Sequence, residues 1–173
     1  HVLTDDTRIA EAARGFGADV VMTSEAARNG TERCAEALAR MDPAPDVVVN
    51  LQGDAPLTPP WFVEALIDAM ADPTVAMATP VLRCDAQTLE HLVTDRRAGR
   101  VGGTTAALRG DGTALYFSKE VLPHVADLSA PPAVWHHVGV YAYRPDALAR
   151  YGALPEGPLE RAEGLEQLRF LEN

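Results

Sequence analysis

The sequence lacks the features that mark membrane proteins, disulfide-rich folds and nucleic-acid-binding proteins. Its longest apolar run, at 46–51, is far shorter than the roughly 20 residues of a membrane span. The two cysteines, Cys34 and Cys84, form no CxxC motif, so we expect buried thiols rather than a disulfide. A net charge of −10 argues against a nucleic-acid surface, which requires a basic stripe. We expect neither a membrane nor a nucleic acid as a partner.

Several common catalytic motifs are missing as well. The sequence has no Ser-His-Asp arrangement, no Walker loop and no dinucleotide fingerprint, which removes the commoner enzyme classes. What it has is 47% hydrophobic and 23% charged residues, the balance of an ordinary globular protein. The chain begins at His1 without an initiator methionine or a secretory signal. We expect a single domain, 1–173, truncated at both termini.

The first half of the chain has the pattern of an α/β protein. Apolar spacing predicts helices at 6–16, 31–41 and 59–70, and short apolar runs predict strands at 18–22, 46–51 and 75–81. Helices that alternate with strands indicate a parallel sheet covered by helices. The strand at 46–51 is apolar at successive residues, so we expect it at the centre of that sheet.

The second half has a different pattern. A helix near 86–93 leads to a loop and then to two strands, at 104–108 and 113–117. Gly110-Asp111-Gly112 lies between these strands and predicts a hairpin turn. A further strand at 134–144 and a last helix at 158–171 complete the predicted elements.

Asp54 is the first candidate for a chemical role. It follows the strand at 46–51, and ligands of parallel α/β sheets bind beyond the carboxyl ends of the strands. Gly53 would let the backbone approach a bound group, and the Asp54 carboxylate could hold Mg²⁺ on substrate phosphates. The alternative is that Asp54 only organises the turn into Pro56.

The segment from Asn29 to Arg33 is the second candidate. Asn29 and Thr31 are residue types that cap helices, and the N–H groups of a helix N-terminus suit a phosphate or a base. A capped helix start without a ligand explains the same residues, with the exception of Arg33.

Polar side chains on the predicted strand at 134–144 form the third candidate. Because side chains alternate along a strand, His137, Tyr141 and Tyr143 would share one face. They would form a polar wall for a hydroxyl-rich ligand, or would pack against a helix and bond to one another. His136 and His137 would point to opposite faces, and no third zinc ligand is evident.

The last helix carries the fourth candidate. Leu165 and Leu168 would face the core, which leaves Glu166 and Gln167 to one side of the helix. These two polar side chains would be either solvated or turned towards a ligand.

Six short motifs occur in order along the chain. They are Thr4-Asp5-Asp6, Gly30-Thr31-Glu32-Arg33, Leu51-Gln52-Gly53-Asp54 with Pro56, Ala114-Leu115-Tyr116-Phe117-Ser118, His137-Val138-Gly139-Val140-Tyr141, and Pro158-Leu159-Glu160 with Leu165-Glu166-Gln167-Leu168-Arg169. In this order the set resembles the 3-deoxy-manno-octulosonate (Kdo) cytidylyltransferases, also called CMP-Kdo synthetases. Each motif alone is weak, whereas their common order from end to end is specific.

The resemblance implies a Rossmann-like, GT-A-like nucleotidyltransferase fold, in which a mixed, mainly parallel sheet is flanked by helices. It implies a homodimer, with a region at roughly 96–145 that contributes to sugar binding and dimerisation. The implied reaction transfers CMP from CTP to the anomeric hydroxyl of Kdo, releases pyrophosphate and uses Mg²⁺. The product feeds lipopolysaccharide synthesis, so we expect a cytoplasmic enzyme.

The resemblance also implies roles for residues of this chain. Asp54 would be the Mg²⁺ ligand and the catalytic residue. The nucleotide would lie against Asn29, Gly30, Thr31, Arg33 and Gly53. The sugar pocket would be lined by Gln52, Lys119, His137, Tyr141, Glu166 and Gln167.

The chain departs from the family's pattern in several places. Ala55 stands where glutamate is usual, and Thr105 falls on the position of a lysine. Lys119 replaces an arginine, which keeps the positive charge but loses the bidentate fork. The phosphate-gripping loop at the start of the family pattern and its late metal aspartate lie outside 1–173, so we expect this chain alone to be inactive.

Two other functions stay open on these residues. The first is a cytidylyltransferase for another acidic sugar, such as a sialic acid, against which the predicted sugar-pocket residues argue. The second is a catalytically inactive binding module with the same fold, which the substitutions at Ala55 and Thr105 leave possible.

Overall fold

The computed structural model describes every residue from His1 to Asn173. The elements follow in the order β1 (Val2–Thr4), α1 (Thr7–Gly15), β2 (Val20–Met22), α2 (Gly30–Leu38), β3 (Val48–Leu51), α3 (Pro60–Ala69), β4 (Met77–Ala78), β5 (Val81–Arg83), α4 (Ala86–Arg97), β6 (Thr105–Leu108), β7 (Ala114–Ser118), β8 (Trp135–His137), β9 (Val140–Tyr143), α5 (Pro145–Tyr151), α6 (Pro158–Glu163) and α7 (Leu168–Glu172).

The chain folds as two compact units, each built from two segments. Unit 1 comprises 1–78 and 140–154, and unit 2 comprises 79–139 and 155–173. Both units combine helices with β-structure, so the predicted α/β class is confirmed.

Unit 1 contains two small sheets. In the first, β1 and β2 pair in parallel, with Val2 opposite Val20. In the second, β9 lies between β3 and β4 and is antiparallel to both. All four residues of β9 are buried, whereas β3 ends in the exposed Leu51. The prediction that 46–51 is the central strand is therefore wrong, because a strand from a distant part of the sequence occupies that place.

The helices of unit 1 begin at residues that satisfy their first N–H groups. The Asp6 carboxylate accepts from the Arg8 N–H at 2.8 Å at the start of α1. The Asn29 carboxamide accepts from the Glu32 N–H at 2.9 Å at the start of α2. α3 begins with Pro60, whose missing N–H is no loss at a first helical position. Helix α2 packs against α5 and β3, which places its N-terminus beside the second sheet of the unit.

Unit 2 is built on a four-stranded antiparallel sheet in the order β5-β8-β6-β7. The predicted hairpin is confirmed, with Thr105 of β6 opposite Ser118 of β7. One core cluster of the unit joins Phe117 of β7 to Leu168 of α7, and another joins Leu89 of α4 to Val134. These clusters attach both the long helix and the last helix of the chain to unit 2.

Strand pairing differs from the predicted mainly parallel sheet. Among the pairings in the structure only β1 with β2 is parallel, and the others are antiparallel. A mainly parallel sheet is therefore not confirmed.

Three predicted continuous elements are each divided in two. The strand at 75–81 becomes β4 and β5, which are separated by Thr79 and Pro80. The strand at 134–144 becomes β8 and β9, and in both cases the chain passes from one unit to the other at the break. The helix at 158–171 becomes α6 and α7, because Gly164 takes the left-handed conformation, with φ 61°, and ends α6.

The expected state of the cysteines is confirmed in part. Neither is in a disulfide; Cys34 is buried, and Cys84 is half-buried. Burial raises the pKa of the Cys84 thiol. The longest helix, α4, has 12 residues, and none of the helices has the length and hydrophobicity of a membrane span.

Candidate active site

Asn29 is fully engaged at the start of α2. Its Oδ1 accepts from the Glu32 N–H at 2.9 Å, and its Nδ2 donates to the Tyr151 hydroxyl at 3.2 Å. Both ends of the carboxamide are therefore bonded within unit 1. Asn29 therefore caps α2, as expected from the sequence, and also ties this helix to α5.

Thr31 and Arg33 are also bonded inside unit 1. The Thr31 side chain is buried, and its Oγ1 lies 2.8 Å from the Tyr143 hydroxyl. The Arg33 guanidinium bonds to the Thr23 hydroxyl and lies 3.3 Å from the Asp5 carboxylate. These contacts tie the first turn of α2 to β9 and to the segments that follow β1 and β2.

Gly30 lies against two carboxamides at the carboxyl end of β3. A Cβ at this position would be 3.0 Å from Asn50 Nδ2 and 3.3 Å from Gln52 Nε2. Glycine therefore allows the first turn of α2 to approach β3 more closely than any other residue would. The two side chains share a face of the chain because they are two residues apart.

Asn50 is a polar residue of this region that the sequence reasoning missed. It is only 6% exposed, and its Nδ2 has no hydrogen-bond partner in the structure. A buried amide left unbonded is unfavourable by about 1–3 kcal/mol, so such a group is a natural contact for a ligand. Asn50 could have been recognised from its position two residues before Gln52, because residues two apart on a strand share a face. In the structure Gly30 of α2 lies against that face.

Asp54 lies just beyond β3 in an exposed turn. The backbone closes this turn, since the Ala55 N–H donates to the Gln52 carbonyl at 3.1 Å. No hydrogen bond or ion pair of the turn involves the Asp54 carboxylate, which disfavours the alternative that it only organises the turn. The Gly53 amide precedes it in the same exposed turn.

The surroundings of Asp54 fit Mg²⁺ as an ion shared with a nucleotide. No group of three or more His, Cys, Asp or Glu side chains forms a complete cage in this chain. Mg²⁺ is usually held by one or two carboxylates together with substrate phosphates and waters. A single exposed carboxylate at the end of a strand agrees with that mode of binding.

Tyr141 and Tyr143 form a buried pair on β9. Their rings stack with centroids 6.0 Å apart and an interplanar angle of 25°. Tyr141 is opposite Asn50 in the pairing of β9 with β3. The Tyr143 hydroxyl also bonds to Thr31 of α2, so this end of β9 packs against a helix.

His137 lies on β8 in unit 2, so it does not share a strand face with Tyr141. Its side chain is buried, and its Nε2 lies 2.9 Å from the Thr79 hydroxyl. Its ring also contacts the Phe117 ring edge-on, with centroids 5.0 Å apart. Burial, with a smaller contribution from the charge of His136, lowers the pKa of His137 to about 4, so the imidazole is neutral at pH 7.

The predicted sugar-binding residues Glu166 and Gln167 lie in the turn between α6 and α7, not within a helix. Gln167 is only 3% exposed, and Glu166 is half-buried. The positive φ at Gly164 produces this turn, so the polar pair is presented by a bend of the backbone. The predicted core position of Leu168 is confirmed, since its side chain is fully buried.

Lys119 directly follows β7, at a point where the Glu163 carboxylate accepts three hydrogen bonds. Glu163 accepts from the Ser118 hydroxyl at 2.5 Å, the Lys119 N–H at 2.8 Å and the Tyr116 hydroxyl at 3.3 Å. Burial, together with the negative charge of Glu163, raises the pKa of Tyr116. Sequence reasoning missed Glu163, because nothing local connects it to a strand 45 residues earlier.

The predicted site residues thus fall into two groups. Unit 1 carries the predicted nucleotide and metal residues with two of the sugar residues: Asn29, Gly30, Thr31, Arg33, Gln52, Gly53, Asp54 and Tyr141. Unit 2 carries the remaining sugar residues: Lys119, His137, Glu166 and Gln167.

Comparison with known proteins places the chain among enzymes that transfer nucleotides. The sequence profile of the cytidylyltransferase family matches residues 1–173. A solved structure described as CMP:2-keto-3-deoxy-manno-octonic acid synthetase complexed with CTP matches with a TM-score of 0.82 and 34% identity. That match covers 97% of this chain and 65% of the solved one. The chain belongs to the cytidylyltransferase family.

Its relatives define the group within that family. The 3-deoxy-manno-octulosonate cytidylyltransferase of Maricaulis maris is 41% identical over 173 residues, which cover 99% of this chain and 67% of the relative. The enzyme of that name from Syntrophotalea carbinolica is 41% identical over 187 residues, which cover 99% and 68%. The chain groups with the 3-deoxy-manno-octulosonate cytidylyltransferases and spans about two thirds of their length.

Proposed function

We propose that this chain is the greater part of an enzyme that transfers CMP from CTP to 3-deoxy-manno-octulosonate. The observation that carries this proposal is the match over 97% of the chain to a structure solved with CTP. The names of the relatives support Kdo as the acceptor. We also propose that the fold is Rossmann-like and GT-A-like.

The reaction needs positioning and charge neutralisation more than a nucleophilic side chain. The anomeric oxygen of the sugar bonds to the α-phosphorus, while the bond from that phosphorus to the bridging oxygen breaks. Pyrophosphate leaves with the electron pair of that bond, and the hydroxyl proton passes to solvent. Phosphoryl transfers of this kind depend on alignment and electrostatic stabilisation.

Unit 1 supplies the groups proposed for the nucleotide. Asn50 presents its carboxamide beside Gly30, where a bound base or ribose would find a hydrogen-bond donor and an acceptor. The N-terminus of α2 adds a favourable field for negative charge. Mg²⁺ held by Asp54 and the phosphates would neutralise the charge that develops on the leaving group.

Unit 2 supplies most of the groups proposed for the sugar. Lys119 is the one cation among the predicted sugar residues at pH 7, because the His137 imidazole is neutral. Its ammonium is therefore the natural partner of the sugar carboxylate. The neutral His137 and the pair Glu166 and Gln167 would form hydrogen bonds with sugar hydroxyls, and a sugar without those hydroxyls would not form them.

We also propose a homodimer, a sugar-binding and dimerisation part at roughly 96–145, a cytoplasmic location and a contribution to lipopolysaccharide synthesis. The residues 118–134 and Trp135 are the segment in which we look for a dimer contact. Sedimentation of the protein expressed from its intact gene tests the dimer.

The experiment that tests the function measures pyrophosphate release by the protein expressed from its intact gene, with CTP, Mg²⁺ and Kdo. We expect release to require all three, and Asp54→Asn to lower it by about 100-fold or more. Asp68→Asn, an exposed carboxylate on α3, is the matched control and should leave release unchanged. Release with a different acidic sugar but not with Kdo would reassign the substrate, and no release with any sugar would reject the function.

A further inference from the structure

Strand β7 ends against the Glu163 carboxylate, to which neither the motifs nor the relatives assign a role. Glu163 accepts three hydrogen bonds: two from the hydroxyls of Tyr116 and Ser118 and one from the Lys119 N–H. Tyr116 and Ser118 are two residues apart and therefore lie on one face of β7. The Glu163 carboxylate thus bonds to both side chains on this face at the end of β7.

The bonds continue through the residue that follows Lys119. The Glu120 N–H donates to the Ser118 hydroxyl at 2.9 Å, and that hydroxyl in turn donates to Glu163 at 2.5 Å. Lys119 is therefore held on both sides by hydrogen bonds that lead to the same carboxylate. These bonds add to the pairing of Ser118 with Thr105 in fixing the backbone at Lys119.

The side chain of Lys119 is placed by the same end of α6. A Cβ at Gly164 would lie 3.0 Å from Lys119 Nζ, so the ammonium rests beside the glycine that follows Glu163. Gly164 has a φ of 61°, a conformation that other residues adopt with strain. The turn with Glu166 and Gln167 begins directly after it, so Glu163 joins the end of β7 to the start of that turn.

We propose that Glu163 is a positioning residue for the sugar acid: it holds the end of β7 so that the Lys119 ammonium meets the substrate carboxylate. This inference rests on the proposed function and extends it to a residue that does not itself contact the substrate. The Lys119 ammonium makes no hydrogen bond or ion pair in the structure, so it is available for an anion.

The test compares Glu163→Gln with Glu90→Gln, an exposed glutamate on α4 of the same unit, in the pyrophosphate assay. A neutral carboxamide has one acceptor oxygen for three donors. We expect the KM for Kdo to rise about 10- to 100-fold, the effect of losing one charge-assisted hydrogen bond. The KM for CTP should stay within about twofold of the wild-type value, a split that a general loss of structure would not produce.

A double-variant cycle distinguishes positioning through Lys119 from an independent effect. In a Lys119→Met background we expect Glu163→Gln to raise the KM for Kdo by no more than about twofold further. If Glu163→Gln fails to fold, Ser118→Ala removes one donor of the same cluster and should give a smaller rise in the same KM. An unchanged KM for Kdo, or full additivity with Lys119→Met, overturns the inference while the function stands. A wild-type enzyme inactive with every acidic sugar overturns both.

Discussion

The two units hold their predicted ligand residues by different kinds of bond. In unit 1 two of the contacts that fix the N-terminus of α2 are neutral, Thr31 with Tyr143 and Asn29 with Tyr151, and the ion pair of Arg33 with Asp5 beside them is partly exposed. In unit 2 carboxylates make the corresponding contacts. Glu163 accepts hydrogen bonds from the end of β7, and Glu160 pairs with the buried Arg169.

This difference has consequences for how each unit responds to its surroundings. Neutral hydrogen bonds between hydroxyls and amides add modest stability and are insensitive to pH below about 9. The attraction within a buried ion pair is stronger than within an exposed one, but a buried charge that loses its partner strongly destabilises the fold. We therefore expect unit 2 to be the more fragile of the two towards charge removal and acid, and three measurements test this.

The largest effect should follow removal of the buried ion pair between α6 and α7. Arg169 donates to both oxygens of Glu160, at 2.7 and 2.6 Å, and the two side chains are 1% and 7% exposed. Glu160→Gln leaves the guanidinium buried without a counter-charge, so the free energy of unfolding in urea should fall by about 3–5 kcal/mol.

Arg28→Gln is the matched control for that change. Arg28, whose side chain is 58% exposed, precedes α2 and pairs with Glu32 in the first turn of that helix. Exposed pairs contribute about 0.2–1 kcal/mol. A loss below about 1 kcal/mol for Glu160→Gln would contradict the importance of buried charge in unit 2.

The second effect concerns acid and His137. The pKa of this imidazole is about 4 in the folded chain and 6.5 when unperturbed, so the unfolded state binds a proton first as the pH falls. Its stabilising contribution is complete above pH 6.5 and is lost progressively between pH 6.5 and 4, by about 2 kcal/mol from pH 7 to pH 5. In His137→Gln the free energy of unfolding should fall less over that range than in the wild type.

The exposed His124 provides the comparison for the acid experiment. His124→Gln should keep the pH dependence of the wild type, because an exposed side chain changes its surroundings little on folding. If His137→Gln and His124→Gln have the same pH dependence, burial of His137 does not control the acid response.

The smallest effect should come from the neutral contacts of unit 1. Thr31→Val removes the hydroxyl that lies 2.8 Å from the Tyr143 hydroxyl, and we expect a loss of about 1 kcal/mol in the free energy of unfolding. The loss should be the same at pH 5 and pH 8, because the lost hydrogen bond joins two uncharged hydroxyls. Thr94→Val, exposed on α4, should change stability by less than about 0.5 kcal/mol. A strongly pH-dependent loss would remove the distinction between the units.

The sequence allowed good predictions wherever local chemistry decides the structure. The caps at Asp6 and Asn29 and the hairpin around Gly110-Asp111-Gly112 were all recognisable, because turns and helix starts depend on neighbouring residues. The motif order also led to the family, since it needs residue identities only. The position of Asp54 directly after a strand was likewise predictable.

The sequence did not allow predictions where distant segments meet. Local hydropathy of 46–51 contains no information on β9, which pairs with it from about ninety residues later and takes the central place. Asn50 and Glu163 were not recognised from the sequence alone. Asn50 Nδ2 has no hydrogen-bond partner, and the Ser118 partner of Glu163 lies 45 residues earlier in the chain. The breaks at Pro80 and Gly139 were missed because apolar periodicity continues through the passage from one unit to the other.

The helical bend at the end of the chain has a consequence for the thermodynamics of sugar binding. Glu172 on α7 accepts from the N–H groups of Leu159 and Glu160 at 2.9 Å, and Arg169 bonds to Glu160 from the same helix. These contacts join the start of α6 to the end of α7, and Glu166 and Gln167 lie in the bend that connects the two helices. Much of the conformational entropy of this bend is lost when the protein folds, so little remains to be lost when a ligand arrives. A substrate contacting the bend would gain affinity from this prior order.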